Sequence, residues 1–381
     1  MQYRKADNLG MESSLLGVGT MRFPLDKQNE EVDTVQVKQM LHYAIDNGVN
    51  YVDTAWVYHA GKSESITAAA LKDGYREKVN LATKNPTWLV KKEGDWEYYL
   101  EEQLKRLETD HIDFYLQHAL NKQNWEEVKK FNIWEKAMKA KQDGKIKYFG
   151  FSFHDSYDAF EEIINEYDWD FCQIQLNYLD QQYQAGLKGL KLAREKNIPV
   201  IIMEPLRGGL LAEVPDVIKE KLDDFYIVRK PAEWAFRWLS NQEGIITILS
   251  GMSSLEQIKD NVRIFSDKKL TGTGMSDEES ALMDNIVEFW NAKAFIKCTD
   301  CKYCAPCPKG VNIPECFSLS NRFTNTSDDI VKDSVRKTYA DMKANNAAAN
   351  LCVSCKKCEK VCPQSIMIAE KLKELDKLLT K

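Results

Sequence analysis

With 381 residues, 44% of them hydrophobic and 29% charged, the chain holds enough apolar material for one large domain and a smaller one. Its formal net charge of −6 argues against nucleic acid as a partner, and apolar runs such as PVIIM are too short to span a bilayer. The opening MQYRKADNLGMESS lacks the apolar stretch of an export signal, so the expected setting is the cytoplasm.

Short apolar runs then recur, each followed by a longer amphipathic segment. They are LLGVGT at 15–20, NYVDTA at 50–55, NLATK at 80–84, IDFYLQH at 112–118, KYFGFS at 147–152, FCQIQLN at 171–177, PVIIME at 199–204 and ITILSG at 246–251. Continuous rather than alternating apolar strands suit a parallel sheet covered on its outer face by helices. The first such helix, in VDTVQVKQMLHYAIDNG, would bury Val35, Met40, Leu41 and Ala44 and stop at Gly48. Eight βα units in this length predict an α/β fold of the (β/α)8 TIM-barrel class. A doubly wound open sheet is the alternative, but LGVGTMRFP lacks the G-x-G-x-x-G that usually follows its first strand. Ser276 with Glu279 three residues on predicts a capping box opening one more helix, SDEESALMDNIVEFWNAK. The expected domains are 1–292 for the barrel and 293–381 for a second unit.

Barrel chemistry sits at the C-terminal ends of the strands. Those ends offer Asp53 on strand two, Tyr58 five residues later, Lys84 on strand three and His118 on strand four. A phenol is a poor acid at neutral pH, but a lysine ammonium beside it stabilises the phenolate, and an aspartate can hold that lysine. A histidine can orient a carbonyl by hydrogen bonding, yet no side chain supplies a hydride. The four residues together therefore point to a carbonyl or alcohol substrate and a nicotinamide cofactor. His154 and Asp155 read as loop residues near the mouth, His42 and His111 as structural, and His59 is undecided.

The segments LGVGTMRFP, DTAWVYHAGKSE, LATK, DFYLQH, GFSFHD, QIQLNYLD and EPLRGGLL resemble the aldo-keto reductase superfamily over about residues 1–292. The resemblance implies a (β/α)8 barrel binding NADP or NAD, with Tyr58 as general acid/base, Lys84 and Asp53 tuning it and His118 orienting the substrate. It also implies that Gly19, Thr20 and Met21 lie beside the nicotinamide ribose, that Ser152 and Gln175 hold the carboxamide, and that Gly251, Ser253, Gln257 and Asn261 hold the phosphates and adenine. Two positions depart from the family pattern: Phe153 stands where Asn is usual, and Met203 where an aromatic commonly stacks on the nicotinamide. No residue of 251–261 marks a clear 2′-phosphate pocket.

Eight of the ten cysteines fall in two close-spaced runs in the last part of the chain. Cys352, Cys355, Cys358 and Cys362, followed by proline, match the bacterial ferredoxin run for a [4Fe–4S] cluster. Cys298, Cys301, Cys304 and Cys307 form a similar run, shorter by one residue before the last cysteine; a zinc site is the alternative there. In two-cluster ferredoxins the fourth cysteine of each run serves the other cluster, which would pair Cys362 with the first run and Cys307 with the second. The stretch between the runs reads as mostly helical, and Cys316 and Cys172 as buried small hydrophobes. Barrel and tail together resemble the prokaryotic aldo-keto reductases that end in a small, mostly α-helical ferredoxin-type domain.

Nicotinamide delivers electron pairs and an iron–sulfur cluster single electrons, and no flavin motif joins them. Three roles for the tail follow. The clusters staple a tail with little core of its own; or they pass electrons from a ferredoxin-like donor to the substrate, making a ferredoxin-linked redox enzyme; or the whole chain is a nicotinamide-binding redox sensor. Oligomeric state is not encoded in any motif.

Overall fold

The computed structural model describes residues 1–26, 31–272, 274–291, 296–326 and 329–380. The chain opens on an antiparallel hairpin, β1 (Tyr3–Ala6) with β2 (Met11–Ser14), turned through Asp7–Leu9 and Gly10 at φ 61. Eight parallel strands follow: β3 (Leu16–Gly19), β4 (Tyr51–Asp53), β5 (Asn80–Asn85), β6 (Ile112–Leu120), β7 (Ile146–Phe153), β8 (Phe171–Gln175), β9 (Val200–Met203) and β10 (Ile245–Ser250). They pair in chain order and β10 returns to β3, closing a barrel. Every expected strand is present. The open-sheet alternative falls with the closure.

The hairpin was not foreseen, because its short, mostly polar strands carry no apolar run. Its Ala6, Leu9 and Met11 pack against Tyr51, Phe114, Tyr148 and Phe171 from the barrel strands. Arg4 fixes it further, donating to the carbonyls of Gln242 (2.9 Å), Ile245 (2.8 Å) and Ser240.

The helix Thr34–Asp46 starts at Asp33, whose carboxylate accepts from the Gln36 N–H at 2.9 Å. Its buried face is Val37, Met40, Leu41, Ala44 and Ile45. Val35 is 69% exposed, so the expected stripe was rotated at its first residue. Val35 sits in the first turn, ahead of the face that meets the sheet.

Contacts divide the chain into two units, Met1–Pro205 with Phe236–Met275, and Leu206–Ala235 with Ser276–Lys381. The expected boundary at 292 lies outside the described residues. In the second unit the helix Asp277–Asn291 opens on the foreseen capping box: Ser276 N–H donates to Glu279 Oε2 (2.8 Å) and Glu279 N–H to Ser276 Oγ (3.2 Å). Helices Ile313–Thr324, Asp329–Ala344 and Ile368–Leu379 then bury Ile313, Cys316, Phe317, Leu319, Val335, Tyr339, Ile368, Leu372 and Leu375 around one centre. This corrects the expectation of a tail with little core. Cys316 and Cys172 are both fully buried, as expected.

Among the described residues no helix is long and apolar enough to cross a membrane.

Candidate active site

Asp53 ends β4 and Lys84 lies next to the end of β5, so the paired strands set the two side chains side by side. Lys84 Nζ donates to Asp53 Oδ1 at 2.6 Å and to the Thr54 carbonyl at 2.7 Å. Both side chains are buried. Burial pushes the carboxyl of Asp53 up and the ammonium of Lys84 down, and each partner opposes the shift of the other. An ion pair so deep is retained because removing either member strands a charge.

Tyr58 opens the turn Tyr58–Gly61, and its ring centroid lies 5.0 Å from Lys84 Nζ. That turn is strained: His59 and Ala60 adopt φ of 51 and 54, a region costing roughly 1–2 kcal/mol per non-glycine residue. His59 anchors it, its ring 5.8 Å from that of Phe23 and its Nε2 3.0 Å from the Thr20 carbonyl oxygen. The undecided histidine thus has a scaffolding position.

His118 lies in β6 with its ring edge-on to Tyr58 at 6.2 Å and 5.1 Å from Trp88. Burial, then Lys84, then His154 hold its imidazole well below the ordinary histidine range, so it is neutral. His154 pairs through Nδ1 with Gln184 Oε1 at 3.2 Å and is pushed down to about 4 by burial. Two buried polar atoms at the centre, Asp53 Oδ2 and His118 Nδ1, have no protein hydrogen-bond partner. Buried polar atoms are nearly always satisfied, so such orphans fit a bound ligand.

Glu64 was not singled out by the sequence reading. It is fully buried and accepts from Thr83 Oγ1 (2.6 Å) and Gln103 Nε2 (2.5 Å), with Arg106 3.3 Å from its other oxygen. Gln103 Nε2 also lies 3.0 Å from the Lys84 carbonyl, and the charge of Glu64 helps keep Lys84 protonated. Its only sequence signal is a carboxylate beginning the helix Ser63–Ala70, which resembles an ordinary first-turn acid.

The expected nicotinamide residues fall in two groups. Gly19 ends β3, Thr20 and Met21 lie in the turn Thr20–Arg22 that follows it, and Thr20 Oγ1 bonds Ser63 Oγ at 2.8 Å. Ser152 Oγ accepts from the Ala119 N–H at 2.8 Å, and Gln175 Nε2 donates to Asp180 Oδ2 at 3.2 Å. Past β10, Ser253 N–H donates to Gln257 Oε1 (2.8 Å), and Asn261 Nδ2 to Ser250 Oγ (2.9 Å). Gly251 faces Arg22, whose side-chain carbons stand 3.4 Å from where a Cβ would be. Arg22 was missed because its nearness to the 251–261 segment arises only when β10 closes on β3. Phe153 is fully buried and packs edge-on against Phe160 at 5.2 Å, so it belongs to the core. His42, 2.9 Å from the Ala70 carbonyl oxygen, and His111, paired with Asp110, are structural.

In the second unit the two cysteine runs share a backbone. Asp300 and Lys302 flank Cys301 at φ 50 and 63; Ser354 and Lys356 flank Cys355 at 54 and 57. A repeated left-handed pair on non-glycine residues is strain held at a functional site, and it curls each run around its middle cysteine. None of the eight cysteines is in a disulfide. Burial pushes Cys304 up to about 12, helped by Cys298, Cys362 and Cys358; a metal would reverse this by binding the thiolate. Among the described residues no three His, Cys, Asp or Glu side chains close to metal-holding distance.

The sequence model of the Aldo/keto reductase family matches residues 15–282. The chain belongs to that family. The model of the 4Fe-4S dicluster domain matches residues 297–367, so this aldo/keto reductase ends in a domain whose cofactors are two [4Fe–4S] clusters. Relatives include the uncharacterized oxidoreductase YrpG of Bacillus subtilis, 27% identical over 69% of this chain and 90% of its own. The NADH-specific methylglyoxal reductase of Escherichia coli is 28% identical over 63% of this chain and 84% of its own. Among solved structures, aldo-keto reductase AKR11C1 of Bacillus halodurans superposes with a TM-score of 0.62 at 24% identity, covering 75% of this reductase and 96% of itself, which establishes the fold.

Proposed function

We propose that the barrel interconverts a small carbonyl compound and its alcohol, with Tyr58 as the proton donor and acceptor. A bound NADP or NAD supplies the hydride. Gly19, Thr20, Met21, Ser152, Gln175, Gly251, Ser253, Gln257 and Asn261 are the residues we assign to holding it, with Arg22 as the cation facing the 251–261 segment. In the reducing direction Tyr58 gives its phenolic proton to the oxygen that gains charge. The Lys84 ammonium, 5.0 Å from the ring centroid, stabilises the phenolate left behind. Asp53 keeps that ammonium charged and aimed. Neutral His118 donates a hydrogen bond to the carbonyl oxygen and turns its carbon toward the hydride.

The observation that carries this reading is the buried Asp53–Lys84 pair presented to Tyr58. The relative named as a methylglyoxal reductase makes a 2-oxoaldehyde the first substrate to assay. Tyr58→Phe should lower NAD(P)H-dependent reduction by about 10²–10⁴-fold while the nicotinamide still binds, as read by its fluorescence. Full turnover in that variant would remove Tyr58 from the mechanism.

In the tail we assign Cys298, Cys301, Cys304 and Cys362 to one cluster and Cys352, Cys355, Cys358 and Cys307 to the other. The crossed arrangement follows two-cluster ferredoxins, in which the fourth cysteine of each run serves the other cluster. A second reading of the clusters, as carriers of electrons from a ferredoxin-like donor, gains weight from the apolar core around Phe317 and Leu372. A tail with its own core has less need of staples. Iron and acid-labile sulfide content, followed by paramagnetic resonance after NADPH and then dithionite, tests this. About eight irons reducible only by dithionite fit clusters fed from outside; reduction by NADPH alone would overturn it.

A further inference from the structure

The two cysteine runs have one backbone conformation and two different surroundings. In the first, Thr299 is buried, and a Cβ on Gly208, which sits at φ 69, would lie 2.3 Å from the Thr299 carbonyl oxygen. The loop at Gly208 therefore packs on Thr299, at the start of the first run. In the second, the residue in the place of Thr299 is Val353, 58% exposed, and Cys355 is the exposed one of the eight cysteines. Val361 and Met367, at 50% and 59%, also face solvent. Each of these apolar side chains lies within a few residues of a cysteine assigned to a cluster, so they rim the run rather than fill a core.

Lysines outnumber acids around this rim. Lys356, Lys357 and Lys360 are exposed and make no ion pair among the described residues. Lys309, two residues past Cys307, is exposed as well. Of the acids, Glu359 accepts the Ala369 N–H through its Oε1 at 2.9 Å, within the first turn of the helix Ile368–Leu379, and Glu370 is exposed in that same turn. A chain of net charge −6 thus concentrates exposed lysines around exposed valine and methionine. Small apolar centres ringed by charge are suited to brief encounters, in which the charge steers approach and the limited area lets the partner leave.

We propose that the Val353–Met367 face is the docking surface for an acidic protein that carries single electrons. This deepens the donor-fed reading of the tail and rests on it. One electron would leave the reduced carrier, which is oxidised by one, and pass to the cluster that Cys352, Cys355, Cys358 and Cys307 would hold, reducing it by one. No atom or proton moves.

The test uses full-length protein purified without oxygen and matched for iron content. Reduced acidic flavodoxin is the probe, with cluster bleaching followed by stopped flow; binding of flavodoxin to the oxidised protein is followed by calorimetry, with basic cytochrome c as the control for charge in binding alone. The expected result is a flavodoxin rate and affinity that fall roughly tenfold or more between low and high salt. Lys356→Glu/Lys357→Glu/Lys360→Glu should fall as far at low salt, with dithionite reduction unchanged. The first-run variant Lys297→Glu/Lys302→Glu should behave as the parent. Equal rates in parent and triple variant, tighter binding of cytochrome c than of flavodoxin, or a dimer that the triple variant dissociates would each overturn the proposal. Loss of carbonyl turnover in a separate assay, with salt-dependent docking intact, would instead sink the reading of the barrel.

Discussion

Lys84 at the barrel mouth and Cys355 in the tail are both placed to manage charge, in opposite surroundings. Lys84 is buried between Asp53 and the Thr54 carbonyl, with Glu64 and Gln103 behind its backbone. Cys355 stands exposed between two left-handed residues, with lysines beside it. The first centre is completed by hydrogen bonds of the protein itself. The second is a shaped loop over an apolar core, and its charge balance depends on a bound metal. Removing a protein partner should therefore cripple the barrel site, and removing iron should cripple only the tail.

The largest effect should come from Asp53→Ala, which strands the Lys84 ammonium. The expected loss is about 3–5 kcal/mol of stability by denaturant titration of the barrel. A loss under 1 kcal/mol would mean that the lysine is already neutral. Next, Gly208→Ala forces a side chain against Thr299 at a φ of 69. It should cost about 2 kcal/mol or more and raise protease cleavage in the first cysteine run before the second. Equal cleavage of both would undo the contrast between them.

Stripping iron with a chelator should open both runs to proteolysis while most tail helicity persists in far-ultraviolet dichroism, since Phe317, Val335, Tyr339 and Leu372 remain packed. Collapse of that helicity would restore the stapled-tail view. The smallest effect concerns pH. Burial lowers the proton affinity of His118 and His154 in the folded chain, so below the ordinary value of 6.5 the unfolded chain takes up protons that the folded one refuses. Their contribution is complete above that pH and should decline as pH falls toward the value near 4 at which His154 protonates. His154→Asn should flatten this slope; an unchanged slope would assign the acid sensitivity elsewhere.

The barrel was legible because each strand is a continuous apolar run, and its chemistry because Asp53, Lys84 and His118 lie at or near strand ends, where chain order maps onto position. What was not legible depended on closure. Arg22 meets Gly251 only across the β10–β3 seam, and Glu64 reaches Thr83 and Gln103 through side chains with no shared motif. The hairpin β1–β2 has no apolar run to announce it. Val35 shows the limit of periodicity at a helix start, where the first turn precedes the buried face. In the tail, cysteine spacing displayed the runs plainly, but the cover over Thr299 came from residues far away in sequence.

The seam between β10 and β3 also sets an order of events on the ribosome. The first strand made must wait for the last, because Leu16, Gly17 and Val18 pair with Ile248, Leu249 and Ser250. Arg4 likewise waits for the carbonyls of Gln242 and Ile245. Every cysteine of the two runs is translated after that seam can form. Machinery that delivers iron and sulfide to the nascent tail would meet it only once the barrel sequence is complete, so a pause in translation near residue 250 would separate barrel closure from cluster insertion in time.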